Sequence, residues 1–116
     1  MEDFLPYELA VKLKEKGFNE DCYTVYNTAT MRIERSLTTW KGYKGVILAP
    51  PISQVLKWIR EEKDVMVFPV YSTNTSRWYC SIVNADSLDT YKLTLSDSYE
   101  LAAIAGIEYC FLDNLI

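Results

Sequence analysis

Glu108 lies inside the most apolar segment of the chain, 99–116 (YELAAIAGIEYCFLDNLI). At 100° per residue, Leu101, Ile104, Ala105, Phe111, Leu112 and Leu115 share one side of a helical wheel, and Glu108 projects among them. A carboxylate buried there would cost several kcal/mol unless it found a cation, reached water or took up a proton. Glu108 is therefore read as a buried acid of interest: an acid or base, an interface contact, half of a structural ion pair, or a side chain escaping to water at the edge of the sheet. Little stands beside it to perform catalysis. Histidine is absent, which removes the commonest general base and the commonest transition-metal ligand.

Three further groups could do chemistry. Segment 31–45 (MRIERSLTTWKGYKG) sets Arg32, Arg35, Lys41 and Lys44 against Glu34 alone, interleaved with Trp40 and Tyr43. Cations that meet phosphates and rings that stack on bases would suit single-stranded nucleic acid, with 32–44 as the binding loop. Phe68, Tyr71, Trp78 and Tyr79 crowd one expected hairpin, where alternation puts Trp78 and Tyr79 on opposite faces. One of the two should then lie on an outer or interface surface. Cys22, Cys80 and Cys110 are scattered, odd in number and without a CxxC pair, so they read as buried reduced thiols. Asp86, Asp89 and Asp97 match no calcium-loop spacing and read as turn and cap residues; no metal or cofactor is expected.

These groups need elements to hold them. A first helix is predicted from about Pro6 to Lys16, with Pro6, Leu9, Ala10 and Leu13 on one face, Gly17 as its stop and Phe18 making a Schellman-type hydrophobic contact. Cys22–Tyr26 and Met31–Arg35 read as a hairpin joined through 27–30, with Met31 and Ile33 on the buried side of the second strand. Segment 36–45 reads as a loop, and Val46-Ile47-Leu48 as a short strand halted by Ala49-Pro50-Pro51. Ile52, Val55, Leu56 and Ile59 mark a second helix from Pro51 or Ile52 to Lys63. Val65–Tyr71 and Arg77–Val83 form a second hairpin across 72–76, and Pro69 requires an edge, a bulge or a solvent-facing position. Tyr91–Leu95 adds a further short strand. The last helix begins at Ser98 or Tyr99 behind an Asp97/Glu100 capping box, and its small residues Ala102, Ala103, Ala105 and Gly106 permit close approach to a sheet.

The order α-β-β-(β)-α-β-β-(β)-α predicts an α+β fold: a two-layer domain over 1–116, a mostly antiparallel sheet of about four to six strands with three helices packed on it. With 49% hydrophobic residues among 116, the chain has enough apolar surface for its own core. The net charge of −4 is uneven: residues 1–63 carry ten Lys/Arg against nine Asp/Glu, and 64–116 two against seven. That balance disfavours nucleic-acid binding by the whole domain. The acidic start (MEDFLPYELA) lacks the basic region of a signal peptide, and no uncharged apolar run reaches membrane-spanning length, so the expected location is the cytoplasm.

The opening helix ending in Leu13-Lys14-Glu15-Lys16-Gly17-Phe18, Ala49-Pro50-Pro51 leading into Gln54–Glu61 (QVLKWIRE), the strand with Trp78-Tyr79 and the closing Ile107-Glu108-Tyr109-Cys110 carry a resemblance. In outline, over most of its length, the chain resembles a group of small uncharacterised proteins of gut Bacteroidetes genomes, phages and mobile elements. The resemblance implies a fold but transfers no activity and no functional residue. Three readings of function stand. The first is a non-enzymatic protein-interaction or accessory module whose partner is another protein or a second copy, as a homodimer. The second is a nucleic-acid-associated accessory protein using 32–44. The third is a small ligand-binding protein or enzyme with Glu108 in a pocket.

Overall fold

The computed structural model describes residues 4–35, 46–85, 90–92 (backbone) and 95–116. The fold is α+β, with helices and strands in the order read from the sequence. Among the described residues the strands form two three-stranded antiparallel sheets rather than one, and the chain divides into two compact units, Met1–Pro51 and Ile52–Ile116.

In the first unit, α1 (Tyr7–Glu15) follows Pro6 and buries Leu9, Ala10 and Leu13. Its end is a Schellman motif: Phe18 N–H donates to the Leu13 carbonyl (3.2 Å) and Gly17 N–H to that of Lys14 (3.1 Å). Gly17 holds the left-handed φ of 95° that this stop requires, and Phe18 is buried behind it. The strands β1 (Thr24–Asn27), β2 (Arg32–Arg35) and β3 (Ile47–Leu48) form the sheet β2-β1-β3. The turn between β1 and β2 is built by Asn27, whose Oδ1 accepts from Ala29 N–H (2.9 Å) and Thr30 N–H (3.2 Å). Thr24 and Tyr26 form the inner side of β1, with Cys22 buried just before it; the Tyr26 hydroxyl donates to the Leu5 carbonyl and its ring meets Tyr7 edge-on.

The second unit begins with α2 (Ile52–Lys63), which buries Ile52, Val55, Leu56, Trp58 and Ile59. Trp58, read only as flanking the apolar stripe, is 5% exposed, with the Lys63 ammonium 5.4 Å from its ring centroid. Next come β4 (Val65–Ser72), β5 (Arg77–Asn84) and β6 (Thr90–Lys92), ordered β4-β5-β6, and finally α3 (Tyr99–Leu112). Both helices lie against β4 and touch each other, and α3 also crosses β5. Register puts Val65, Val67, Pro69 and Tyr71 with Trp78, Cys80 and Ile82 on one sheet face, and Met66, Phe68 and Val70 with Tyr79, Ser81 and Val83 on the other. The first face receives the helices: Val65, Val67, Cys80 and Ile82 are buried, and a Cβ on Gly106 of α3 would collide with Cys80 Sγ and come within 2.7 Å of Val67 Cγ1.

Ser98, not Asp97, caps α3: its hydroxyl accepts from Leu101 N–H at 3.1 Å. Asp97 turns instead to Arg77, 3.2 Å away, in an exposed ion pair. Ser98 is one residue nearer the helix, where its short side chain reaches the third amide of the first turn.

Candidate interaction surfaces

Glu108 is exposed, which corrects the buried-acid reading. The buried face of α3 consists of Ala102, Ala103, Gly106, Ile107, Cys110 and Phe111, centred almost opposite the stripe expected from hydropathy, of which Phe111 alone joins it. Size decides the orientation. The small residues let the helix axis come close to β4 and β5, and the larger Leu101 and Leu112 are displaced outward, to 52% and 69% exposure. Glu108 therefore meets water, standing between two leucines on the outer side of the helix.

The opposite layer of the same unit is also apolar outside. Met66 and Phe68 are 44% and 43% exposed on the sheet face turned away from the helices, with Val70, Tyr79 and Val83 around them. The aromatic hairpin is thus divided. Tyr71 and Trp78 lie on the helix side, where Trp78 takes Tyr71 and Tyr99 edge-on at 5.3 and 5.5 Å between centroids. Trp78 joins the hairpin to the first turn of α3, a structural task, whereas Phe68 and Tyr79 belong to the outer face.

Strand addition at β4 is obstructed. Trp78 exchanges backbone hydrogen bonds with Ser96 on the β6 side of β5 (Trp78 N–H to Ser96 O, 2.9 Å; Ser96 N–H to Trp78 O, 2.6 Å). Because backbone direction alternates along a strand, Tyr79 and Ser81 turn toward β4 and meet Phe68 and Val70, leaving Val65, Val67, Pro69 and Tyr71 with their backbone groups on the open side. Among the described residues β4 is an edge strand, and Pro69 removes a donor from the middle of that edge without loss to the β4–β5 ladder.

Of the basic and aromatic segment, Arg32 and Arg35 are described; Trp40, Lys41, Tyr43 and Lys44 lie outside the described residues. Arg32 and Arg35 belong to β2 rather than to a loop, and strand alternation turns them to opposite faces. The Arg35 guanidinium lies 6.0 Å from the Phe4 ring centroid. All four residues of β2 are exposed, so the expected burial of Ile33 fails: Ile33 is 38% and Met31 60% exposed. The strand is short, at the edge of its sheet, and held by pairing with β1 and by an Asn27 Nδ2–Glu34 Oε1 hydrogen bond of 2.6 Å.

The three cysteines are buried and in no disulfide, as read. Burial pushes the Cys80 thiol up to about 11, against a lowering backbone hydrogen bond from Phe68, and pushes that of Cys110 up to about 12 with a further rise from nearby Cys80. Such thiols are poor nucleophiles at neutral pH, because the reactive thiolate is suppressed. Asp86 and Asp89 lie outside the described residues; among those described, no group of three His, Cys, Asp or Glu is placed to hold a metal ion, and no helix is long and apolar enough to cross a membrane. The chain matches no family model, no curated protein and no solved structure. Geometry and chemistry alone carry the functional reading.

Proposed function

We propose that this chain is a non-enzymatic interaction module that self-associates through the outer face of the β4–β5 sheet. The observation that carries this reading is the exposure of Met66 and Phe68 on a face whose opposite side already holds the helices. Such a surface gains by leaving water, at roughly 25 cal/mol per Å² of apolar area covered. Its occupant is a second copy. Along β4 the outward side chains are Met66, Phe68, Val70 and Ser72, none of them charged; Arg77 of β5 shares this face only at the hairpin end, opposite Ser72, so two such rows meet at their apolar centres without opposing like charges. Contact is face to face, because Pro69 interrupts the open edge of β4.

Light scattering across a concentration series tests this reading. The mass should rise from that of one chain toward two, and Phe68→Ser should return it to one. A single-chain mass at every concentration would overturn self-association, and a dimer indifferent to Phe68→Ser would remove it from this face.

A further inference from the structure

We propose that the outward stripe of α3 seats an amphipathic helix of a different protein, one whose apolar seam carries a single Arg or Lys opposite Glu108. The proposal rests on the reading of the chain as an interaction module and names a second occupant, on the layer opposite the sheet face. Leu101, Ala105, Glu108 and Leu112 recur at intervals of four, three and four residues, the spacing of a helix–helix seam. They span three turns, roughly 17 Å along the axis, which is the reach of an ordinary partner helix. Leu101 and Leu112 are more than half exposed, so the seam is open at both ends.

The charge on the seam selects the partner. One turn away on either side, Glu108 has Ile104, Ala105, Phe111 and Leu112, none of which can neutralise it. No basic residue occupies the last turn of α3, and Asp113 caps it, so acid sits at the helix end where the backbone dipole is already negative. The imbalance extends to the unit: residues 52–116 carry five Lys/Arg against nine Asp/Glu, while 1–51 carry seven of each. A second copy is the wrong occupant. Parallel pairing would set Glu108 against itself, and antiparallel pairing about the middle of the seam would leave the two carboxylates about 4.5 Å apart along the axis, less than one turn. A seam with Leu, Ile or Met around one cation satisfies both the apolar surface and the charge.

A selection from displayed helices, randomised at their seam positions and panned against the whole chain, tests this. Enriched helices should carry Arg or Lys at the central seam position between apolar residues. Their affinity should fall by about ten-fold or more on Glu108→Lys and on Leu101→Ser with Leu112→Ser. Panning against Glu108→Lys should instead enrich Asp or Glu at that position. All three substituted side chains are exposed, so the thermal midpoint should stay at the wild-type value; should the double serine variant melt early, Glu108→Lys alone decides. Absence of enrichment, neutral or acidic seams against the wild type, or binders that tolerate Glu108→Lys would each overturn the proposal. Concentration-dependent dimers broken by Leu112→Ser, and not by Phe68→Ser, would also overturn it, by giving the stripe to a second copy. Dimers broken only by Phe68→Ser alongside failed panning would leave the self-association reading standing and remove this one.

Discussion

The second unit has two outer surfaces, and they differ in where charge sits: Arg77 stands at the hairpin end of the sheet face, Glu108 in the middle of the α3 face. The sheet face presents Met66 and Phe68 with no charged side chain on the β4 row; the α3 face presents Leu101 and Leu112 with Glu108 between them. Both are apolar, and apolar area alone would make them interchangeable. The carboxylate makes them different, since bringing it against a like charge or a dry surface is costly, whereas a cation satisfies it. A single ionisable residue can therefore sort two sticky surfaces, one for a copy of the same chain and one for a basic partner.

One substitution should act on both surfaces at once, by loosening the layer that they share. Gly106→Ala puts a Cβ into Cys80 Sγ and near Val67 Cγ1, all in the buried seam between α3 and the sheet. Overpacking of this kind costs ~1–3 kcal/mol, against a helix-propensity gain of at most about 1 kcal/mol. The thermal midpoint should fall by roughly 5 °C or more, given about 4–8 °C per kcal/mol for a unit this small. An unchanged midpoint would mean that α3 does not approach the sheet as closely as described.

The same seam should respond to alkali. Cys80 and Cys110 titrate at about 11 and about 12 when folded, against an ordinary value of 9.0. Above pH 9 the unfolded chain gives up these protons before the folded chain does. The associated stability is thus complete below pH 9 and lost as pH rises through 11 to 12. Denaturant midpoints measured from pH 8 to 11 should decline, and Cys110→Ala should flatten that decline; an equally steep decline in the variant would place its cause elsewhere.

Smaller losses are expected at the start of α3, from which the outward stripe runs. Ser98→Ala removes the cap on Leu101 N–H and should cost ~1 kcal/mol. Asp97→Ala removes an ion pair whose members are 45% and 82% exposed, and should cost ~0.5 kcal/mol or less. Equal losses in thermal denaturation, or a larger loss for Asp97→Ala, would return the cap to Asp97.

Local signals were the most legible in the sequence. Gly17-Phe18 after an amphipathic run specified the stop of α1, and Ile52, Val55, Leu56 and Ile59 specified α2 to within a residue. Alternation correctly divided Trp78 from Tyr79. The orientation of α3 was not legible from hydropathy, because the helix is apolar nearly all round and several directions satisfy the wheel equally. What decided it was volume: Gly106 fits against Val67 and Cys80 with Ala102 and Ala103 buried beside it, and Leu101 and Leu112 stay outside. Glu108 was misplaced for that reason alone, and the small-residue cluster was the available signal. Ile33 misled differently, since alternation names two faces of a strand but not whether anything covers either.

Light scattering on Phe68→Ser, with and without Glu108→Leu, tests whether the Glu108 carboxylate keeps the two surfaces apart. Phe68→Ser should be a single chain at every concentration, and adding Glu108→Leu should restore a dimer by freeing the α3 stripe to meet its copy. A Phe68→Ser chain that still dimerises, or a double variant that stays single, would contradict this separation of the surfaces.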